Sequence, residues 1–223
     1  MGTQRSFGRT WWGNAWVEAM ERIDYNTNRL PRGRRYANNG SVWAIDIKNG
    51  EVIAKVKGSR PRPYDIKICL KRFNDSQVKR IKGVIENNPA VASELNRGRL
   101  PESLLPVLNE QKIHIFPGDW DEITANCSCP DWANPCKHLA AVYYILANEI
   151  DKAPFLIFNL KGVSTQTLTE AAGLTNKRQI DAGDLEKGIF IPYEQVKAEN
   201  KGKEESAETP DLSFQGIDID SMF

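Results

Sequence analysis

The chain has 223 residues, 40% of them hydrophobic, which suits one domain of fair size or two small ones and suffices to bury a core. No apolar run approaches the ~20 residues that cross a bilayer, and Met1 to Arg9 is polar and lacks the apolar centre of a secretory signal, so a cytosolic protein with reduced thiols is expected. The net charge of +1 conceals an asymmetry, since residues 1–72 carry 15 Lys and Arg against 6 Asp and Glu, residues 73–193 carry 12 against 15, and residues 194–223 carry 3 against 8; a basic front and an acidic end point to a nucleic-acid face and an acidic tail.

Taken in order, Ala15, Trp16, Ala19, Met20 and Ile23 recur at helical spacing and predict a helix over Asn14 to Asp24. Trp11, Trp12 and Trp16 are read as core around that helix in preference to a base-stacking platform. From Arg29 the run Leu30-Pro31-Arg32-Gly33-Arg34-Arg35-Tyr36 is too rich in Pro and Gly for a helix interior and too basic for a core, which predicts an exposed basic segment. Val42 to Ile47 and Val52 to Val56 flank Asn49-Gly50, the favoured type I′ pair, and read as a hairpin. A second basic loop, Gly58 to Pro63, leads to an alternating third strand at Tyr64 to Leu70, so a small antiparallel sheet is expected. Cys69 within it has no ligand-type neighbour and is read as structural.

Asn74 or Asp75 caps a helix with apolar positions Val78, Ile81, Val84 and Ile85, ending near Asn87-Asn88-Pro89. Ala90–Leu95 and Glu102–Leu108 are short helical patterns, the second opened by Pro101. Lys112 to Phe116 reads as a strand containing His114, and Asp119, Asp121 and Glu122 read as a solvated loop.

Next comes the densest chemistry of the chain: Cys127-Ser-Cys129-Pro-Asp-Trp-Ala-Asn-Pro-Cys136-Lys-His138. Three of the four cysteines and one of the two histidines fall within twelve residues. Zinc in a structural site takes four thiolate or imidazole ligands in a closed tetrahedron, and Cys127, Cys129, Cys136 and His138 supply that set. Two ligands separated by one residue on a strand point the same way. The six-residue loop between Pro130 and Pro135 folds the second pair back onto the first, with Cys136 and His138 at the start of a helix. Adjacent-but-one cysteines make a poor disulfide pair, and a disulfide would leave the histidine unexplained. The donor types argue for zinc among thiophilic metals.

Cys-x-Cys, a short loop, and Cys-x-His at a helix start resemble the SWIM zinc finger. Phe7-Gly8-Arg9-Thr10-Trp11-Trp12-Gly13-Asn14-Ala15-Trp16, Leu30-Pro31-Arg32-Gly33-Arg34, Gly58-Ser59-Arg60-Pro61-Arg62-Pro63-Tyr64 and Cys136-Lys137-His138-Leu139-Ala140-Ala141-Val142 are similar to stretches of prokaryotic SWIM-finger proteins, so that the resemblance runs from Phe7 to about Gly162. It implies nucleic-acid or protein binding without catalysis by the finger, in proteins often linked to Swi2/Snf2-type ATPases.

Leu139 to Ile150 predicts an apolar helix half-buried against the N-terminal unit; Pro154–Leu160 and Ser164–Ala172, with Gly173 beyond, predict short elements. The expected organisation is α+β: a basic domain at 1–115 with a small antiparallel sheet, the finger and following helices at 116–175, a disordered linker at 176–210, and an acidic-apolar tail at 211–223. In that tail Ile217, Ile219, Met222 and Phe223 are candidate docking residues for another protein, against the alternative that the segment packs on its own body. No phosphate-binding Gly-rich loop, Gly-x-Ser-x-Gly elbow or nucleophile-partnering histidine occurs, so no enzymatic activity is expected. The favoured function is a zinc-binding accessory factor that contacts nucleic acid, DNA first, through Arg32, Arg34, Arg35, Tyr36, Arg60 and Arg62. The alternative is a protein adaptor with little nucleic-acid affinity of its own.

Overall fold

The computed structural model describes residues 7–24 and 29–174. The elements are α1 (Trp11–Ile23), α2 (Arg29–Asn38), β1 (Val42–Lys48), β2 (Glu51–Val56), β3 (Tyr64–Leu70), α3 (Asp75–Glu86), α4 (Pro89–Asn96), α5 (Leu104–Glu110), a single 3-10 turn (Trp120–Glu122), β4 (Ile123–Cys127), α6 (Lys137–Lys152), α7 (Leu156–Leu160) and α8 (Thr165–Ala171). The fold is α+β, as expected. Its sheet is antiparallel in the order β1-β2-β3-β4.

The β1–β2 hairpin closes on Asn49 and Gly50, both with positive φ (54° and 76°), the geometry a type I′ turn demands. Alternation then sorts the strands: Val52, Ala54, Val56, Tyr64, Ile66, Ile68 and Leu70 point inward and are buried. Glu51, Lys55, Asp65 and Lys67 point outward and pair across the ladder, Lys67 with Glu51 at 2.9 Å and Lys55 with Asp65.

Helix α6 lies on the inner face of this sheet. Its residues 138–147, 149 and 150 are buried, so the helix expected to be half-buried is instead the core element. Helices α1 and α2 cover its other sides and α7 packs against it. Small residues permit the close fit, because a Cβ added at Gly33 would lie 2.3 Å from the Cβ of Ala140. The core therefore runs without a break across residues 115 and 116.

The segment expected to be an exposed basic stretch is helix α2. Pro31 falls in its first turn, where the backbone N–H has no intrahelical partner to lose, and Leu30, Gly33 and Ala37 form the buried stripe against α6. The Gly that argues against a helix in isolation is what lets this one approach its neighbour. Likewise Lys112 to Phe116, expected as a strand, has no ladder partner: Ile113 and Ile115 are buried in an irregular connection. Helix α3 begins at a capping box, Asn74 Oδ1 accepting from Gln77 N and Gln77 Oε1 from Asn74 N. Of the acids expected in a solvated loop, Asp119 caps the 3-10 turn. Glu122 accepts from the buried Lys161 at 3.2 Å, and the same ammonium donates to His114 O at 2.9 Å. Burial pulls the Lys161 pKa down, and Glu122 opposes that shift. The linker and the tail, with Ile217, Ile219, Met222 and Phe223, lie outside the described residues. Among the described residues no helix is long and apolar enough to cross a membrane.

Candidate metal centre

Strand β4 pairs with β3 along its whole length, from Leu70↔Ile123 to Ile66↔Cys127. The pairing extends one residue further, because Ser128 N donates to Asp65 O at 3.0 Å and Asp65 N to Ser128 Oγ at 2.9 Å. The chain then bends at Cys129, two residues past Cys127. The loop 130–135 then turns about Asp131, whose Oδ1 accepts from Ala133 N at 3.3 Å while the carboxylate pairs with Arg29 of α2 at 3.1 Å. Cys136 is the N-cap residue of α6, and His138 lies in its first turn.

These elements bring the ligand atoms of Cys127, Cys129, Cys136 and His138 within 4.8 Å of one another. His138 Nδ1 is 3.9 Å from both Cys127 Sγ and Cys136 Sγ. A tetrahedron built on zinc–sulfur and zinc–nitrogen bonds has ligand-to-ligand edges of roughly 3.5–3.8 Å, so the two Nδ1–Sγ distances are close to those edges and the donors have the chemistry for such an ion. Among the described residues no carboxylate joins the cluster, as suits a closed site of soft donors.

The thiols are already electrically differentiated. Cys136 has its pKa lowered, first by the hydrogen bond from Cys127 and then, against its own desolvation, by His138 and the backbone N–H groups of His138 and Leu139 at the α6 N-terminus. Cys127 is pushed up because it holds that proton toward Cys136 and is itself desolvated. Burial raises Cys129 as well. A metal ion bound by these donors would place a positive charge between the sulfurs.

The His138 ring is fixed by packing. Tyr64 lies with its centroid 4.5 Å away and Tyr36 stands edge-on at 5.4 Å. Among the described residues Nε2 is buried without a hydrogen-bond partner, so two aromatic rings do the orienting that a polar partner usually does. Gly58 belongs to the same packing, since a Cβ there would come 2.3 Å from the Tyr64 ring and 2.9 Å from His138 Nε2. Lys137 Nζ lies 4.9 Å over the Tyr36 ring, and the Arg60 guanidinium 5.8 Å over Tyr64.

The six residues expected to contact nucleic acid separate into two sets. Arg32 and Arg35 are exposed on α2, and Arg60 and Arg62 are exposed on the β2–β3 loop. Arg34 is half-buried and held at the surface, donating to Glu21 at 2.9 Å and stacking 4.9 Å over Tyr144. Tyr36 is half-buried between His138 and Lys137, so its ring is not an open stacking surface. Sequence reasoning missed Tyr64 and Gly58 as supports of the histidine and Arg29 as partner of the loop. Its place after an arginine-rich run puts Tyr36 among the expected nucleic-acid contacts; nothing in one dimension shows that Tyr36 and Tyr64 both reach His138. Cys69 is remote from the cluster, beside Glu51, and burial raises its pKa. His114 is exposed and meets Asn109 at 3.0 Å.

Residues 108–147 match the family model of the SWIM zinc finger. Over 166 residues the chain is 39% identical to the uncharacterized protein Rv2102 of Mycobacterium tuberculosis, a match that covers 74% of this chain and 60% of that relative. The chain thus spans less than two thirds of the relative's length. No solved structure matches.

Proposed function

We propose that this chain, a SWIM zinc-finger protein, is a non-catalytic zinc-binding protein that contacts nucleic acid, DNA first, through the face around His138. Cys127, Cys129, Cys136 and His138 would hold the zinc, which closes the β4–α6 junction and leaves no position for substrate. The observation that carries the binding reading is the contrast among the cations near the finger. Arg29 and Arg34 are taken up by Asp131 and Glu21, whereas Arg32, Arg35, Arg60 and Arg62 are exposed and, among the described residues, pair with no carboxylate. Exposed guanidinium groups that pair with no carboxylate release counterions when they meet phosphates, and give binding that is salt-dependent and blind to sequence.

Service to a larger DNA-acting machine, such as a Swi2/Snf2-type ATPase, is part of this proposal and rests on the family resemblance. The test is a salt titration of duplex DNA binding by the full zinc-loaded chain and by a variant carrying Arg32→Ala, Arg35→Ala, Arg60→Ala and Arg62→Ala. The variant should bind more weakly on all sequences, and each lost phosphate contact should remove about 0.9 from the logarithmic salt slope. Identical slopes for both proteins would overturn the reading, and the adaptor alternative would take its place.

A further inference from the structure

The loop between the two ligand pairs carries the most exposed large apolar side chain of the described residues. Trp132 is 95% accessible; the next most exposed, Ile53, is 46%. Its exposure is not overflow from the core, since Trp16 is fully buried and Trp11 and Trp12 are partly buried against the same hydrophobic cluster. Here an indole is held in water at the tip of a short, closed loop.

We propose that Trp132 stacks on an unpaired base, so that the ligand preferred by the finger face is single-stranded nucleic acid; the inference rests on the nucleic-acid reading above. Three observations point to it. The presentation is firm, because Trp132 is three residues from Cys129 and four from Cys136, hence within about 11 Å of the Cys129 Cα along the chain, and Asp131 braces the turn through Ala133 N and Arg29. The charge is favourable, because the loop's one carboxylate, Asp131, is matched by Arg29, while Lys137 and Arg60 are each one ring away from His138. A phosphate chain approaching the indole meets cations and no unmatched acid of the loop.

The immediate surroundings also favour a base over a protein. An aromatic anchor for a protein normally sits within a patch whose other contacts exclude water. Within its loop Trp132 has the exposed residues Pro130 and Asn134 and the half-buried Asp131 and Ala133. A single large ring among small or polar loop residues, with no second large apolar side chain beside it in the loop, suits base stacking, which needs one open face and tolerates any base. Paired bases in a duplex offer no such face, and so the preference is for single strands.

The experiment compares the full zinc-loaded chain with Trp132→Ala and Trp132→Phe, using fluorescein-labelled single-stranded and duplex oligonucleotides of equal length at about 50 mM salt. Zinc content and melting temperature of each variant establish that the fold is kept. The wild type should favour the single strand, Trp132→Ala should weaken that binding by roughly 5- to 150-fold without changing its salt slope, and Trp132→Phe should retain most of it. Duplex binding should be unchanged in both variants. If the wild type binds nucleic acid and Trp132→Ala leaves single-strand affinity intact, stacking is overturned while the binding reading survives, and Trp132 is left as a contact for a protein. If the wild type binds neither form, the binding reading itself fails and the inference goes with it.

Discussion

The two ends of helix α6 are closed by different chemistry. At its start, Cys136 and His138 meet Cys127, at the end of β4, and Cys129 just after it, four donors that could hold a metal ion. At its other end, Asp151 accepts hydrogen bonds from Arg9 N at 2.7 Å, Thr10 N at 3.0 Å and Thr10 Oγ1, and Thr10 in turn caps α1 by accepting from Gly13 N. The glycines of Phe7-Gly8-Arg9-Thr10-Trp11-Trp12-Gly13 serve this junction: Gly8 has φ +71°, and a Cβ at Gly13 would lie 2.0 Å from Asp151 Oδ1. One end is satisfied by the protein alone. The other, on the zinc reading proposed above, would depend on a bound ion, so stability should divide along α6 according to whether zinc is supplied.

The largest effect should follow metal removal. Structural zinc binding amounts to about 10–16 kcal/mol in finger peptides, and it is coupled to folding. Chelation, or Cys136→Ser, should therefore lower the melting temperature more than any other single change, and should raise hydrogen exchange at β4 and the first turns of α6 before α3 or the α1 cap. Because ligation needs deprotonated thiols and a neutral imidazole, zinc affinity should fall as pH drops. A melting curve insensitive to chelator would break the comparison, since both ends would then be self-sufficient.

Much of this division can be read in one dimension. The ligand set, its spacing and its seat between a strand and a helix are local features, and the hairpin and the capped helix after Asn74 announce themselves by turn and cap residues. What is hidden depends on long-range contact. Arg29 to Asn38 looks unfit for a helix because intrinsic propensity penalises Gly33, yet tertiary packing against Ala140 reverses that penalty. Tyr36 and Tyr64 look like surface aromatics beside arginines, and only the fold puts both on His138. Asp151, some 140 residues from Thr10, has no local signature at all.

At the self-sufficient end, Asp151→Ala removes the acceptor for three hydrogen bonds and leaves two backbone donors and a hydroxyl to find water. At about 0.5–1.5 kcal/mol per bond, and more for a charged acceptor, the loss should be roughly 2–4 kcal/mol in denaturant unfolding. Zinc content should stay at one per chain. A variant that also loses its zinc would show the two ends to be coupled through α6.

Between them, Gly33→Ala should force α2 away from Ala140 and cost about 1–3 kcal/mol. Since α2 carries Tyr36, the displacement should loosen His138 and weaken zinc affinity, measured by competition with a chromogenic chelator. The Asp151 end should be unaffected, with α1 amides as protected as before. Equal loosening of both ends would mean that α6 shifts as a rigid rod.

The smallest effect concerns the outer edge of the metal end, where Asp131 ties the loop to Arg29 of α2. Both side chains are about a quarter exposed, at 28% and 26%, so water screens the pair and its contribution should be about 0.2–1 kcal/mol. Asp131→Asn removes the charge while keeping an oxygen for Ala133 N, which isolates the ion pair from the turn. Melting curves should then show a small loss in dilute buffer that shrinks toward nothing near 1 M salt, where the screening length falls to about 3 Å. Zinc affinity should not move, because Cys127 is positioned by β4, Cys136 and His138 by the start of α6, and Cys129 meets the backbone carbonyl of Asp131 at 3.7 Å, which the substitution keeps. A loss that exceeds about 1 kcal/mol and persists in high salt would show that the tether belongs to the finger's fold, and the metal end would then owe part of its stability to the protein alone.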